Sequence, residues 1–200
     1  MAIDVSSYKG LIFDMDGTLI DTMPSHLHAW KQTAEQFDFP FEPEWINSMG
    51  GMPTQKVAMQ LNERYHIVID PQEVAQTKTG LFATLIDDGN IIDCTFKILK
   101  QCYGEKKLAI GTGSNKTNAM LLLEHNGILP MLDAIVTAAD VVNHKPNPDT
   151  FLLAAQKLGL APSDCVVFED TEIGRQAALA AGMDCIMVVD GELVDGKLLA

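Results

Sequence analysis

The chain is short of positive charge: 14 lysines and arginines stand against 27 aspartates and glutamates, for a net charge of -13. So acidic a surface repels phosphate backbones and anionic lipid, which argues against nucleic acid or a membrane as partner. Cysteine is also scarce. Cys94, Cys102, Cys165 and Cys185 lack metal-binding spacing, and Met1-Ala2-Ile3-Asp4 does not open the basic-then-apolar order of a secretory leader. Reduced thiols in a cytoplasmic protein are therefore expected. No apolar run approaches the roughly 18 residues of a membrane span, and repeats and low-complexity linkers are missing. What is present is 200 residues with 47% hydrophobic content, enough for a full α/β core and a small insertion.

Reactive side chains gather at the ends of apolar runs. Leu11-Ile12-Phe13 reads as a short buried strand and Asp16-Gly17 as a turn, so Asp14 and Asp16 arrive at the carboxyl edge of a sheet. Open α/β sheets bind ligands at that edge. Two carboxylates this close repel unless a cation lies between them or one keeps its proton, which points to a metal or to proton transfer. An ordinary acidic strand-to-helix turn has the same spelling.

Three further segments follow the same grammar. Leu108 to Gly111 ends at Thr112-Gly113-Ser114, whose hydroxyls and glycine-flanked amides suit an oxyanion. Ala134 to Thr137 is a strand followed by His144-Lys145-Pro146-Asn147-Pro148-Asp149, where Pro146 biases Lys145 away from helical geometry. Taken alone, this stretch is a helix start carrying a solvated lysine, with Asn147 as cap and Pro148 in the first turn. Val166 to Phe168 runs into Glu169-Asp170, a second acidic pair at a strand end, with a helix from about Thr171 to Ala181. Helices are also expected over Pro148 to Lys157 and Ala119 to His125, and a strand over Met183 to Val189; the stretch from Asp190 reads as a loosely held tail. Alternation at this spacing implies a doubly wound, parallel α/β layer.

In this order the segments resemble the haloacid dehalogenase-like superfamily of phosphohydrolases over nearly the whole chain. Asp14-Met15-Asp16-Gly17-Thr18 is similar to its first motif, Thr112 to its second, Lys145 with Pro146 to its third and Glu169-Asp170 to its fourth. Asp21-Thr22 followed by His26 and Trp30, Gly111 to Ser114 and Lys145 to Asp149 place the resemblance nearest the β-phosphoglucomutase-like branch. The resemblance implies a Rossmann-like core over 1–20 and 90–200 with an inserted helical cap over 21–89. It also implies that Asp14 attacks phosphorus and that Asp16 protonates the leaving oxygen, then activates water. Thr112 and Lys145 would spread the phosphate charge, and Mg²⁺ would be held by the Asp14 carboxylate, the Asp16 backbone carbonyl and Asp170. Glu169 would act behind these ligands or through a bound water. Gly113, Ser114 and His26 would touch the substrate, and Lys116 a distal acid group. Dehalogenases of the superfamily need no partner acid like Asp16, because halide leaves unaided. Phosphonatases of the same branch use a cap lysine as a Schiff base; Lys31, Lys56 and Lys78 all read instead as surface lysines on helices.

The insertion carries helical stripes, Leu27, Trp30, Ala34 and Phe37, then Val57, Leu61 and Tyr65, with crossings near Ile20 to Met23 and Asp87 to Ile91. Met49 to Thr54 is either a specificity loop over the site or a plain interhelical turn. β-Phosphoglucomutases hold a second phosphate with an arginine and a lysine in this loop, where Thr54 and Gly50 stand here. Uncharged groups cannot replace a bidentate phosphate ligand. A Mg²⁺-dependent phosphatase acting on a small sugar phosphate is expected, similar to the fructose-1-phosphate phosphatases of this branch, as a monomer or weak homodimer. The rival expectations are a mutase and a non-catalytic phosphate-sensing protein on the same fold. His28, two residues beyond His26, falls on another helix face and reads as inert.

Overall fold

A computed structural model describes residues 3–85 and 89–194. Along the chain, β1 (Gly10–Phe13) and a two-residue strand β2 (Ile20–Asp21) lead into four helices, α1 (Met23–Phe37), α2 (Pro43–Ser48), α3 (Thr54–Tyr65) and α4 (Pro71–Ala83). A second short strand, β3 (Asn90–Ile91), returns to the alternation α5 (Asp93–Cys102), β4 (Lys107–Gly111), α6 (Lys116–His125), β5 (Ala134–Val136), α7 (Asp149–Leu158), β6 (Cys165–Glu169) and α8 (Glu172–Ala180). Strands β7 (Asp184–Val189) and β8 (Glu192–Val194) close it. No helix among the described residues is long and apolar enough to cross a membrane.

β1 is apolar along its whole length because both of its faces are covered. It pairs in parallel with β4 on one side and β6 on the other, within the sheet order β5-β4-β1-β6-β7-β8. Alternate residues enter opposite cores. Leu11 and Phe13 join Leu108, Ile110, Val166 and Phe168 under α5 and α6, whereas Ile12, Ala109 and Val167 meet Phe151 and Ala155 of α7 and Ala177 and Ala178 of α8. The Phe13 and Phe168 rings stack at 4.6 Å. The core is therefore doubly wound, as expected, with one difference at its edge. The first part of the expected tail is ordered: Asp190 and Gly191, both at positive φ, form a two-residue turn, and β8 pairs antiparallel with β7, while residues 195–200 lie outside the described residues.

Two helix starts also differ from expectation. α6 begins three residues before Ala119, because the Asn115 side chain accepts from the Asn118 amide. α7 begins at Asp149 with Pro148 in the cap position; the Asn147 amide donates instead to the His144 carbonyl.

Helices α1 to α4 pack round their own cluster of Trp30, Ala34, Phe39, Ile46, Val57, Ala58, Leu61 and Val74. They join the sheet through β2 and β3, which pair antiparallel as Ile20↔Ile91 and Asp21↔Asn90. Part of the expected second crossing, residues 87 and 88, lies outside the described residues.

Candidate active site

Asp14 leaves β1 still in register, its amide donating to the Phe168 carbonyl at 2.9 Å, and the residue is 3% exposed. Lys145 reaches it from the β5–α7 loop, 2% exposed, with Nζ 2.6 Å from Asp14 Oδ1 and 2.6 Å from Glu169 Oε1. Burial would discharge this ammonium, but the two carboxylates hold its pKa well above the ordinary lysine value. The solvated lysine that the isolated stretch suggested is thus a buried charge clamped between two acids.

Glu169 is fully buried, and its second oxygen accepts from the Thr171 amide at 2.7 Å and hydroxyl at 2.9 Å. Gly174 makes room for it, since a Cβ there would fall 1.8 Å from Oε1. Both oxygens of Glu169 are therefore engaged, one by Lys145 and the other by Thr171. Asp170 turns the other way, accepting from Thr18 Oγ1 at 2.9 Å. It occupies the space a side chain on Gly17 would take, 2.3 Å from that position, and Gly17 itself has φ +79.

Burial and the neighbouring Glu169 charge raise the Asp170 carboxyl to about 7, with Thr18 and Lys145 opposing. Burial also raises Asp14; Lys145 offsets part of this, and Glu169, Asp170 and Asp16 add to it. Acids pushed upward by burial and by one another suit a divalent cation. Asp14, Asp170 and the Asp16 carbonyl are hard oxygen donors of the kind Mg²⁺ takes. Among the described residues no three acidic, histidine or cysteine side chains form a cage.

Asp16 is held from both layers. Oδ1 accepts from Thr22 Oγ1 at 2.6 Å and His26 Nε2 at 3.2 Å, while Oδ2 accepts from Ser114 Oγ at 2.6 Å and Thr112 Oγ1 at 3.4 Å. Burial works against its charge, but His26 and the Ser114 and Thr22 hydroxyls lower its pKa overall. His26 stacks on Phe82 at 4.1 Å, and its Nδ1 faces Lys78 Nζ at 2.5 Å. With Nε2 donating to Asp16, Nδ1 accepts from Lys78. Burial and the Lys78 charge lower the His26 pKa, against Asp16.

Lys78 overturns the surface reading. It is 3% exposed on the buried stripe Val74, Lys78, Phe82 of α4, over the rings of Phe82 and Trp30. Burial drives its pKa down to about 7, and Asp16 only partly opposes this. The spacing i, i+4, i+8 between two apolar residues was the available signal. Lys31 and Lys56 are exposed, as expected, and so is His28, paired with Gln32.

Of these groups Asp14, Asp16, His26, Lys78, Thr112, Ser114 and Asp170 line a cleft of about 780 Å³, counting its open mouth. Its helical wall is mostly uncharged: Trp30, Ile46, Met49, Met52, Thr54 and Val57. Gly50 and Gly51 bring the α2–α3 loop onto the core; a Cβ on Gly113 would lie 2.4 Å from the Gly51 carbonyl oxygen, and one on Gly50 3.0 Å from Thr171. Lys116 is not among the lining residues. It is exposed at the start of α6, where its charge acts on Asp140, and Asn115 and Asn118 face the cleft in its place.

The model of the family described as haloacid dehalogenase-like hydrolase matches residues 11–188. The chain is 40% identical to the fructose-1-phosphate phosphatase YqaB of Escherichia coli (strain K12), across 90% of this chain and 96% of that protein. It is 31% identical to the β-phosphoglucomutase of Bacillus subtilis (strain 168), across 92% and 84%. A crystal structure of β-phosphoglucomutase from Clostridium difficile superposes with a TM-score of 0.81 at 25% identity, covering 92% of this chain and 85% of that one. With its acids, lysine and hydroxyls gathered at one sheet edge beneath a helical layer, the chain belongs to the haloacid dehalogenase-like hydrolase family.

Proposed function

We propose that the chain is a Mg²⁺-dependent phosphatase that hydrolyses a small sugar phosphate, similar in kind to fructose 1-phosphate, through an aspartyl-phosphate. That it is a phosphoric monoester hydrolase follows from its family and from phosphatases among its relatives. The arrangement of Asp16 carries the finer reading. One carboxylate, beside but distinct from the Lys145-paired Asp14, is gripped by core and helical layer together.

A dianionic ester admits a nucleophile only when its charge is spread over cations and hydrogen-bond donors. Lys145 and Thr112 supply these, and Mg²⁺ held by Asp14, Asp170 and the Asp16 carbonyl would add Lewis acidity. Asp14 attacks phosphorus as the alcohol departs. Asp16 gives that alcohol a proton and afterwards takes one from the water that cleaves the acyl phosphate. Step one leaves Asp16 ionised, the form its hydroxyl and His26 partners favour and the base of the second step. The proton it then takes from water is the one it gives in the next turnover, with His26 and Lys78 hydrogen-bonded behind it. Residues 21–89 act as a cap over a core of 1–20 and 90–200, excluding bulk water during both steps.

A mutase must also hold a second phosphate. Among the described lining residues the basic side chains are His26 and Lys78, both already engaged in the Asp16 network. This favours hydrolysis over isomerisation. Phosphate release from sugar monophosphates is expected to require Mg²⁺, to vanish in Asp14→Asn and to fall about 10²- to 10⁴-fold in Asp16→Asn. Unchanged turnover in either variant sinks the mechanism.

A further inference from the structure

Asn118 has no assignment in the chemistry above, and its surroundings are unusual for an asparagine. It is 5% exposed, lines the cleft, and makes no side-chain hydrogen bond among the described residues. Its amide atoms are not sealed away either, since neither is among the fully enclosed, unpartnered side-chain atoms of the described residues. The little surface Asn118 keeps is therefore attributed to the cleft it lines.

An amide that faces the cleft and is bonded to no protein group keeps both its donor and its acceptor for what enters the cleft. Local structure does not explain this one. In α6 it is the backbone N–H of Asn118, not its side chain, that is capped by Asn115 Oδ1. Asparagine is also a poorer helix former than alanine, so α6 itself gains nothing from the amide. Its place in the fold is specific. Ser114, which donates to Asp16 Oδ2, lies about one helical turn before Asn118. Leu122, one turn after it on the same face, packs where a Cβ on Gly89 would meet it, beside Ile20 and Thr22. Asn118 thus lies along α6 between the residue that holds Asp16 and the crossings into the helical layer.

We infer that Asn118 is a specificity-determining residue that binds a hydroxyl of the leaving group, selecting esters of polyhydroxylated alcohols. A carboxamide offers Nδ2–H as donor and Oδ1 as acceptor, which matches a hydroxyl that must both accept and donate. A second phosphate or a carboxylate, being acceptor only, would use its Nδ2–H and leave Oδ1 without a donor. The inference rests on the phosphatase reading and adds the chemical class of the alcohol.

The test compares kcat/KM for a set of polyol esters (fructose 1-phosphate, sorbitol 6-phosphate, glycerol 1-phosphate) with that for p-nitrophenyl phosphate, whose alcohol carries no hydroxyl. Unaltered chain, Asn118→Ala and Asn118→Leu are measured with Mg²⁺. Both variants are expected to shrink the preference for the best polyol ester about tenfold, the size of one lost hydrogen bond to a positioned hydroxyl. The thermal midpoint of Asn118→Ala should be no lower than that of the unaltered chain, which a structural role would contradict. An unchanged preference in both variants overturns the inference, as does an unaltered chain that cleaves p-nitrophenyl phosphate but no polyol ester. If the unaltered chain releases phosphate from none of these esters, the phosphatase reading itself fails and the inference goes with it.

Discussion

Lys145 and Lys78 are both buried lysines, yet their settings push them in opposite directions. Lys145 has two carboxylates within 2.6 Å and stays charged; Lys78 has an imidazole and two rings and is driven to about 7. Removing the first leaves Asp14 and Glu169 buried without a counterion, so Lys145→Met should lose roughly 3–5 kcal/mol of stability in urea unfolding, along with activity. The second behaves differently. Its folded pKa lies below the ordinary 10.5, so between pH 7 and 10.5 the unfolded chain binds the extra proton and stability rises with pH. Lys78→Met removes that dependence. Relative to the unaltered chain it should gain stability at pH 7, by roughly 4 kcal/mol at most, and the gain should fade by pH 10. Urea midpoints at the two pH values check this; a constant difference would refute it. The side chains of this site were legible one by one as reactive types at strand ends. Which lysine was buried was not, because burial of Lys78 depends on α1 packing across α4.

Between elements, contact is made by glycines. Gly113 in the β4–α6 loop and Gly51 in the α2–α3 loop approach so closely that a methyl on Gly113 would overlap a backbone carbonyl oxygen, which cannot swing aside as a side chain can. Gly113→Ala should therefore prop the helical layer away from the core. The expected result is a fall of about tenfold or more in kcat/KM with little change in thermal midpoint, read by steady-state kinetics and thermal denaturation. Element boundaries were legible where a local signal was strong, as in the stop of α7 at Gly159, which has φ +71. The Asp190-Gly191 pair is a hairpin signal of equal strength. It reads as a tail only because β8 is three residues long and its partner edge is not visible in sequence.

For the whole molecule, the acidic balance and the raised Asp14 and Asp170 predict a linkage between metal and folding. An ion bound by the folded chain alone stabilises it by mass action. Adding Mg²⁺ to EDTA-treated protein should raise the thermal midpoint and restore phosphate release, and Asp170→Asn should abolish both responses. Calcium, larger and less strict in geometry, should support less turnover. A midpoint indifferent to Mg²⁺ would remove Asp170 from the metal site.

The alternation of β1, β4, β5, β6 and β7 with helices α6 to α8, and the identity of the residues at those strand ends, were determined by the sequence by itself, since hydrophobic period and turn chemistry act over a few neighbours. Tertiary structure alone decided the partners: Lys145 meets Asp14 across 131 residues and Thr18 meets Asp170 across 152. It likewise turned Glu169 toward Lys145, withdrew Lys116 from the cleft and sank Lys78 beneath Trp30. Such pairings depend on which strands become neighbours and how the helical layer folds back over them, and no local pattern encodes either.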